Sequence, residues 1–193
     1  MQYNDYKMSF IKAFNSLDYS KNRQEVFKDI VFCSAAALRN TNVKQFSQKI
    51  EDEYLFTINN YSFIDREKIA ELFSLIILML ESKGEPFDVL GSIYMELEFG
   101  NANAGQFFTP SSISNLMAKL TFSDIKNSLK NKQFLSFSDC ACGSGSTLLA
   151  VVDTYIKNQL SIPECLYIEA TDIDRSVALM CYIQLSLWGV PCK

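Results

Sequence analysis

Apolar positions recur every three or four residues through the first half of the chain, a spacing that predicts helices. Ile69, Leu72, Phe73, Ile76, Ile77 and Leu80 give the clearest case, one continuous stripe along a single helix. Asp65 is placed to cap that helix, and Gly84 followed by Pro86 ends it. A second helix is expected over 23–39, with Val26, Phe27, Ile30, Val31, Ser34, Ala37 and Leu38 on its inner side. Others are expected near 4–17, 43–58 and 87–98. The stripe reads as a bundle core in preference to a partner groove. The glycine-bearing stretch 99–105 then joins a helical domain, residues 1–99, to a second domain, residues 100–193.

From residue 106 the pattern changes. A helix is predicted over 110–120, a linker or short helix over 123–132 and a strand over 134–139. A helix from Ser146 to about residue 159, a strand over 165–170 and a helix over 174–188 follow. Two strands around one helix should lie parallel, joined by a right-handed crossover. The fold class is therefore α/β: a helical N-terminal domain, then a unit with a small parallel sheet. A two-stranded sheet leaves both outer edges unpaired, so either the helical domain covers them, a partner strand or second copy pairs with them, or the natural protein continues beyond Lys193; an association site at the edge is expected.

Candidate chemistry sits at the strand ends. The first strand runs into Asp139-Cys140-Ala141-Cys142-Gly143-Ser144-Gly145, and a helix opens at Ser146. A strand that turns through two glycines into a helix presents backbone N–H groups and lets a ligand approach closely. The second strand ends at Thr171-Asp172-Ile173-Asp174, where a carboxylate can accept hydrogen bonds from ribose hydroxyls. Upstream, in Gly105-Gln106-Phe107-Phe108-Thr109-Pro110, Thr109 can cap a helix and Pro110 fits its first position.

Together these segments, with Gly189 and with Asp88-Val89-Leu90-Gly91-Ser92-Ile93-Tyr94, resemble the N6-adenine DNA methyltransferases. The match is to modification subunits of type I restriction-modification systems and short phage- or plasmid-borne relatives, over about residues 86–191. The resemblance implies a truncated Rossmann-like unit that binds S-adenosylmethionine. Gln106, Phe108, Thr109 and Pro110 would hold its methionine end. Asp139 would face its ammonium group, and Ala141, Gly143 and Gly145 would carry the loop close to it. Asp172 would bind the ribose, and Ile173 would pack on the adenine. Cys140 stands where the family usually has proline. Gln184 stands where many relatives have asparagine, at helical spacing with Val177, Met180, Cys181, Leu187 and Trp188, so it should face inward and need a hydrogen-bond partner.

The family handles its target base with an Asn/Asp-Pro-Pro-aromatic motif. The prolines here are Pro86, Pro110, Pro163 and Pro191, and no two are adjacent. Lys193 falls where the family would enter its third strand. The chain is therefore expected to hold the cofactor half of the site, to have no catalytic residue of its own and to be inactive alone. The alternative is a non-catalytic interaction or regulatory module. A third reading, an α/β protein for another nucleotide, rests on the shortened glycine pattern.

Composition narrows the rest. With 48% hydrophobic side chains over 193 residues, the chain can bury one sizeable core or two small ones. No apolar run is long enough to span a bilayer, and Met1-Gln2-Tyr3-Asn4-Asp5 gives no secretory signal, so a cytoplasmic protein with no membrane contact is expected. Six dispersed cysteines read as reduced thiols. The chain has no histidine, which leaves Cys140 and Cys142 without the ligands of a zinc site and excludes Ser-His and Cys-His nucleophilic schemes. A formal charge of −4 and scattered lysines point away from independent DNA grip. DNA would be read through a partner specificity subunit or a further domain.

Overall fold

The computed structural model describes residues 2–18, 21–41, 44, 46–97, 99, 109–122, 124–130 and 132–193. They divide into two compact units, Met1–Gly84 and Glu85–Lys193.

Among the described residues the first unit has four α-helices: α1 (Tyr3–Asn15), α2 (Arg23–Thr41), α3 (Gln48–Asn59) and α4 (Phe63–Lys83). Its core gathers Phe10 and Phe14 of α1, Phe27 and Ile30 of α2, and Leu72, Ile76 and Met79 of α4. The Phe14 and Phe27 rings meet edge to face at 6.1 Å. Because α4 packs against both α1 and α2, its buried face is broader than one stripe. Leu75 and Met79 are buried, while Phe73 and Ile77 are only half-buried. In α2 the inner side likewise takes Cys33, Ala35 and Ala36, and Ala37 is exposed.

Helix starts differ from the sequence expectation for a local reason. Ser62 caps α4: its Oγ accepts the Asp65 N–H at 3.2 Å and donates to Asp65 Oδ2 at 2.8 Å. Asp65 is thus the return partner of a capping pair, three residues inside. Helix α3 begins at Gln48, behind Ser47 in extended conformation; Val43, its expected first residue, lies outside the described residues.

The second unit contains α5 (Val89–Glu96), α6 (Ser111–Thr121), α7 (Ile125–Leu129), β1 (Leu135–Asp139), α8 (Ser146–Lys157), the single turn α9 (Ile162–Cys165), β2 (Leu166–Ala170) and α10 (Arg175–Leu187). Helix α5 lies ahead of the domain boundary expected at residue 99, yet it belongs here, because Asp88 and Leu90 are bonded to Gln184 of α10.

Strands β1 and β2 pair in parallel, Leu135 opposite Leu166 through Asp139 opposite Ala170. Leu135, Phe137, Leu166 and Ile168 share one core with Leu149, Val152 and Tyr155 of α8 and Cys181 and Leu185 of α10. Ser136 and Ser138, with Glu169 in register, make an exposed polar row. The sheet therefore has one packed face and one polar face, a pattern commoner in antiparallel sheets.

One sheet edge departs from expectation. The chain's own 191–193 segment lies along β2: the Ile168 N–H donates to the Pro191 C=O at 3.0 Å, and the Lys193 N–H to the Ile168 C=O at 2.9 Å. A parallel bridge joins Ile168 and Cys192. Three residues are too few to carry an alternating signal, yet they cover that edge. Among the described residues, only the β1 edge is left open for association.

Candidate functional site

The site forms where β1 and β2 end side by side. The Asp139 C=O accepts the Thr171 N–H at 2.8 Å, and the Thr171 C=O accepts the Cys142 N–H at 3.0 Å. The pairing thus extends past both strands into the loops. Asp139 Oδ1 accepts the Ala141 N–H at 3.0 Å, which bends the chain out of β1. The turn passes through Gly143 (φ 53°) and Gly145 (φ 97°), left-handed conformations that favour glycine.

Asp172 ties the second loop to the first. Its Oδ2 accepts the Gly143 N–H at 2.9 Å, and its Oδ1 accepts the Asp174 N–H at 2.9 Å. Each carboxylate oxygen keeps a further lone pair for a ligand donor. Asp174 then caps α10 by accepting the Ser176 N–H at 2.8 Å. Ile173, between the two aspartates, is fully exposed.

Two helix starts meet beside the turn. Helix α8 opens behind Gly145, and α6 opens behind Pro110, neither with a side-chain cap. Pro110 is the residue before the helix, not its first: its ψ of 138° is extended, and its C=O accepts the Ile113 and Ser114 N–H groups at 2.9 and 3.1 Å, while the Thr109 C=O accepts the Ser146 hydroxyl at 3.0 Å. Ser146 Oγ also lies 3.0 Å from Ser114 Oγ. These contacts bring the positive ends of two helix dipoles together. A cleft of about 130 Å³ lies between α6, β1 and α8, with Met117, Phe122, Phe137 and Asp139 among its walls.

Of the residues expected from sequence, Thr109, Pro110, Asp139, Ala141, Gly143, Gly145, Asp172 and Ile173 fall on these linked segments. Gln106 and Phe108 lie outside the described residues.

Beneath the turn is a buried network that sequence reasoning did not assemble. Asp88 caps α5, its Oδ1 accepting the Gly91 N–H at 2.8 Å and the Gln184 Nε2–H at 2.9 Å. Its Oδ2 accepts the Ser144 hydroxyl. Gln184, 0% exposed, also donates to the Ser144 C=O at 2.8 Å and accepts the Leu90 N–H at 3.1 Å. The need of Gln184 for a partner was legible; that the partners lie on α5 and the turn was not. A Cβ on Gly91 would collide with the Asp88 carboxylate and the Ser144 hydroxyl, so only glycine admits this approach.

Burial pushes the Asp88 carboxyl above the usual carboxylate range, while bonds from Ser144, Gln184 and Gly91 oppose the shift. A carboxyl raised on folding adds stability that is complete below its unfolded pKa of about 3.9 and is lost as pH rises through the folded value. Asp88→Asn removes this dependence and keeps the acceptor facing Gly91. Relative to wild type, the variant is expected to gain stability on going from pH 4 to pH 7, because it holds no buried carboxyl that must ionise over that range. Urea unfolding at both pH values checks it; a relative loss on going to pH 7 would reverse the assignment.

Residues 86–193 match the family model for N-6 DNA methylases. The chain is 31% identical over 108 residues to the type I restriction enzyme MpnII methylase subunit of Mycoplasma pneumoniae, a match that covers 51% of this chain and 18% of that protein. A crystal structure of the type I restriction-modification system methyltransferase subunit from Streptococcus thermophilus superposes with a TM-score of 0.49 at 14% identity, covering 99% of this chain and 57% of that one. The chain thus spans about a fifth of the length of the curated relative it matches. With more than half of its residues inside the matched span, the chain belongs to the N-6 DNA methylase family.

Proposed function

We propose that this chain is the S-adenosylmethionine-binding part of an adenine-specific DNA methyltransferase of restriction-modification type, built as a partial Rossmann-like unit. One observation carries the reading: two carboxylates and a glycine turn are bonded into a single unit at the carboxyl ends of neighbouring parallel strands. Open α/β sheets bind ligands at that end.

The donor set suits this ligand. A sulfonium amino acid carrying a nucleoside needs a carboxylate for its ammonium, another for its ribose hydroxyls, and N–H donors for its own carboxylate. Asp139 would take the ammonium and Asp172 the ribose. The clustered starts of α6 and α8, with Thr109 and Pro110, would receive the carboxylate. Ala141, Gly143 and Gly145 let the turn lie close, Ile173 offers an apolar surface to the adenine, and Gln106 and Phe108 would complete the methionine end. When bound, the cofactor supplies an electrophilic methyl group.

The base-handling half is a different matter. No adjacent prolines occur in the chain, so the residues that hold an extruded adenine would come from another polypeptide segment. DNA would be engaged through a partner specificity subunit or a further domain, in the cytoplasm. No described helix is long and apolar enough to cross a membrane. The missing proline pair also favours a second reading, a non-catalytic interaction or regulatory module that keeps the cofactor pocket.

Calorimetry with S-adenosylmethionine and S-adenosylhomocysteine tests the first step. Saturable one-to-one binding of both is expected. At a hundredfold excess over Kd the bound state should be stabilised by about 2.7 kcal/mol, read as a raised unfolding midpoint. Absence of both heat and midpoint shift rejects the cofactor reading. Methyl transfer to DNA on adding a type I specificity subunit would separate the enzyme from the regulatory module.

A further inference from the structure

We infer that Asp88 and Gln184 are positioning residues for the cofactor loop: they set its geometry from behind and thereby set ligand affinity without touching the ligand. The inference rests on the cofactor reading above.

Ser144 is the one residue of the turn flanked by two left-handed glycines, a backbone with little stiffness of its own. The network holds it at two atoms. Asp88 takes its hydroxyl, and Gln184 takes its C=O at 2.8 Å. The residue before it, Gly143, donates its N–H to Asp172 at 2.9 Å. A line of bonded groups thus runs from the start of α5, through Ser144, to the carboxylate assigned to the ribose. The two ends of that line are distant in sequence, but they are joined by two hydrogen bonds and one covalent step along the backbone.

The composition of the network argues for geometry over stability. Among the described residues no cation is bonded to Asp88; its partners there are a hydroxyl, a backbone N–H and an amide. A buried carboxylate so placed is a weak source of stability compared with apolar packing of the same volume. What it supplies is direction: two oxygens with three donors fix one arrangement of α5, the turn and α10. The tight approach at Gly91 has the same effect, since any side chain there would push Asp88 off Ser144.

The test is calorimetry with S-adenosylhomocysteine on the full chain, with circular dichroism to establish that each variant is folded at the temperature used. Asp88→Ala and Gln184→Met should weaken binding about tenfold, the equivalent of one well-aligned hydrogen bond lost from the loop. Asp88→Asn keeps the acceptor toward Gly91 and Gln184 and can bond Ser144 in the reverse sense, so it should stay within about threefold of wild type. A merely structural role would lower the unfolding midpoint and leave affinity of the folded variants alone. Folded Asp88→Ala and Gln184→Met that bind like wild type overturn the inference but leave the cofactor reading intact. Asp88→Asn as weak as Asp88→Ala also overturns it. Failure of wild type to bind removes both. Should Asp88→Ala and Gln184→Met not fold, Ser144→Ala decides: about threefold weaker binding is expected, and unchanged binding overturns the inference.

Discussion

Asp172→Ala is expected to weaken S-adenosylmethionine binding about a hundredfold while the protein stays folded. Two losses combine. The ligand would lose an ionised acceptor for its ribose hydroxyls, and hydrogen bonds to charged groups are worth roughly 1.5–3 kcal/mol each. The turn also loses its link to the second loop, because Asp172 is the acceptor of the Gly143 and Asp174 N–H groups. Both N–H groups belong to partly exposed segments, so water can replace the carboxylate and the effect on folding should be small. Asp172→Asn separates the contributions. It keeps one acceptor but turns an NH₂ toward one of the two backbone donors, so it should bind about tenfold more weakly than wild type. Equilibrium dialysis or calorimetry on the folded variants decides. Affinity within twofold of wild type in Asp172→Ala would place the ribose elsewhere, even if the cofactor still binds.

What could be read from the sequence was what local chemistry determines. Asp139, Gly143 and Gly145 were legible as a turn because each acts within a few residues: a carboxylate accepts a nearby N–H, and a glycine takes a positive φ. The bond from Gly143 to Asp172 spans 29 positions and was not. Helices were legible where the apolar repeat was long, as in α4 and α2. Their starts were less so. Ser62 and Asp65 form a recognisable pair three apart, but a single acidic residue ahead of an apolar stripe is just as plausible a cap. The buried faces shifted because a helix with two neighbours buries more than one stripe.

The non-local features escaped. Gln184 announces a buried polar demand, yet nothing in the chain names Asp88, 96 positions away, as the group that meets it. Ser144 lies inside a motif where the glycines draw attention, and its two anchors come from different helices. The closing of the β2 edge by 191–193 depends on where α10 ends, which helical periodicity fixes only to within a turn. The Thr109-Pro110 pair was legible as a helix start, but not that Pro110 would take the extended capping position or that Thr109 would bond Ser146 of another helix. The turn between the strand ends was thus legible as local geometry, and the supports that hold it in place were not.

Those supports make Gly145 a position where a single added methyl should do measurable damage. Gly145→Ala is expected to destabilise the second unit by about 3 kcal/mol, from two separable sources. A φ of 97° is outside the comfortable range of an L residue, a penalty of roughly 1–2 kcal/mol. The new methyl would also sit 2.7 Å from Cys181 Sγ, 3.3 Å from Cys181 Cβ and 3.4 Å from Cys181 Cα. Cys181 is wholly buried on α10, so the sulfur has no open space to enter. Overpacking of this kind usually adds about 1–3 kcal/mol. Gly189 provides the comparison within the same unit: its φ is 72°, but a methyl added there would meet no atom within 4 Å. Gly189→Ala should therefore show the backbone part alone, about 1 kcal/mol. Adding Cys181→Ala to Gly145→Ala removes the sulfur and should restore about 1 kcal/mol or more, leaving the backbone part in place. Urea unfolding of the four proteins checks this arithmetic. If Gly145→Ala and Gly189→Ala are equally destabilised, Cys181 yields to the methyl and the turn is softer than its packing implies. If the double variant regains nothing, the clash is with the backbone of α10, and the loop can move only with that helix.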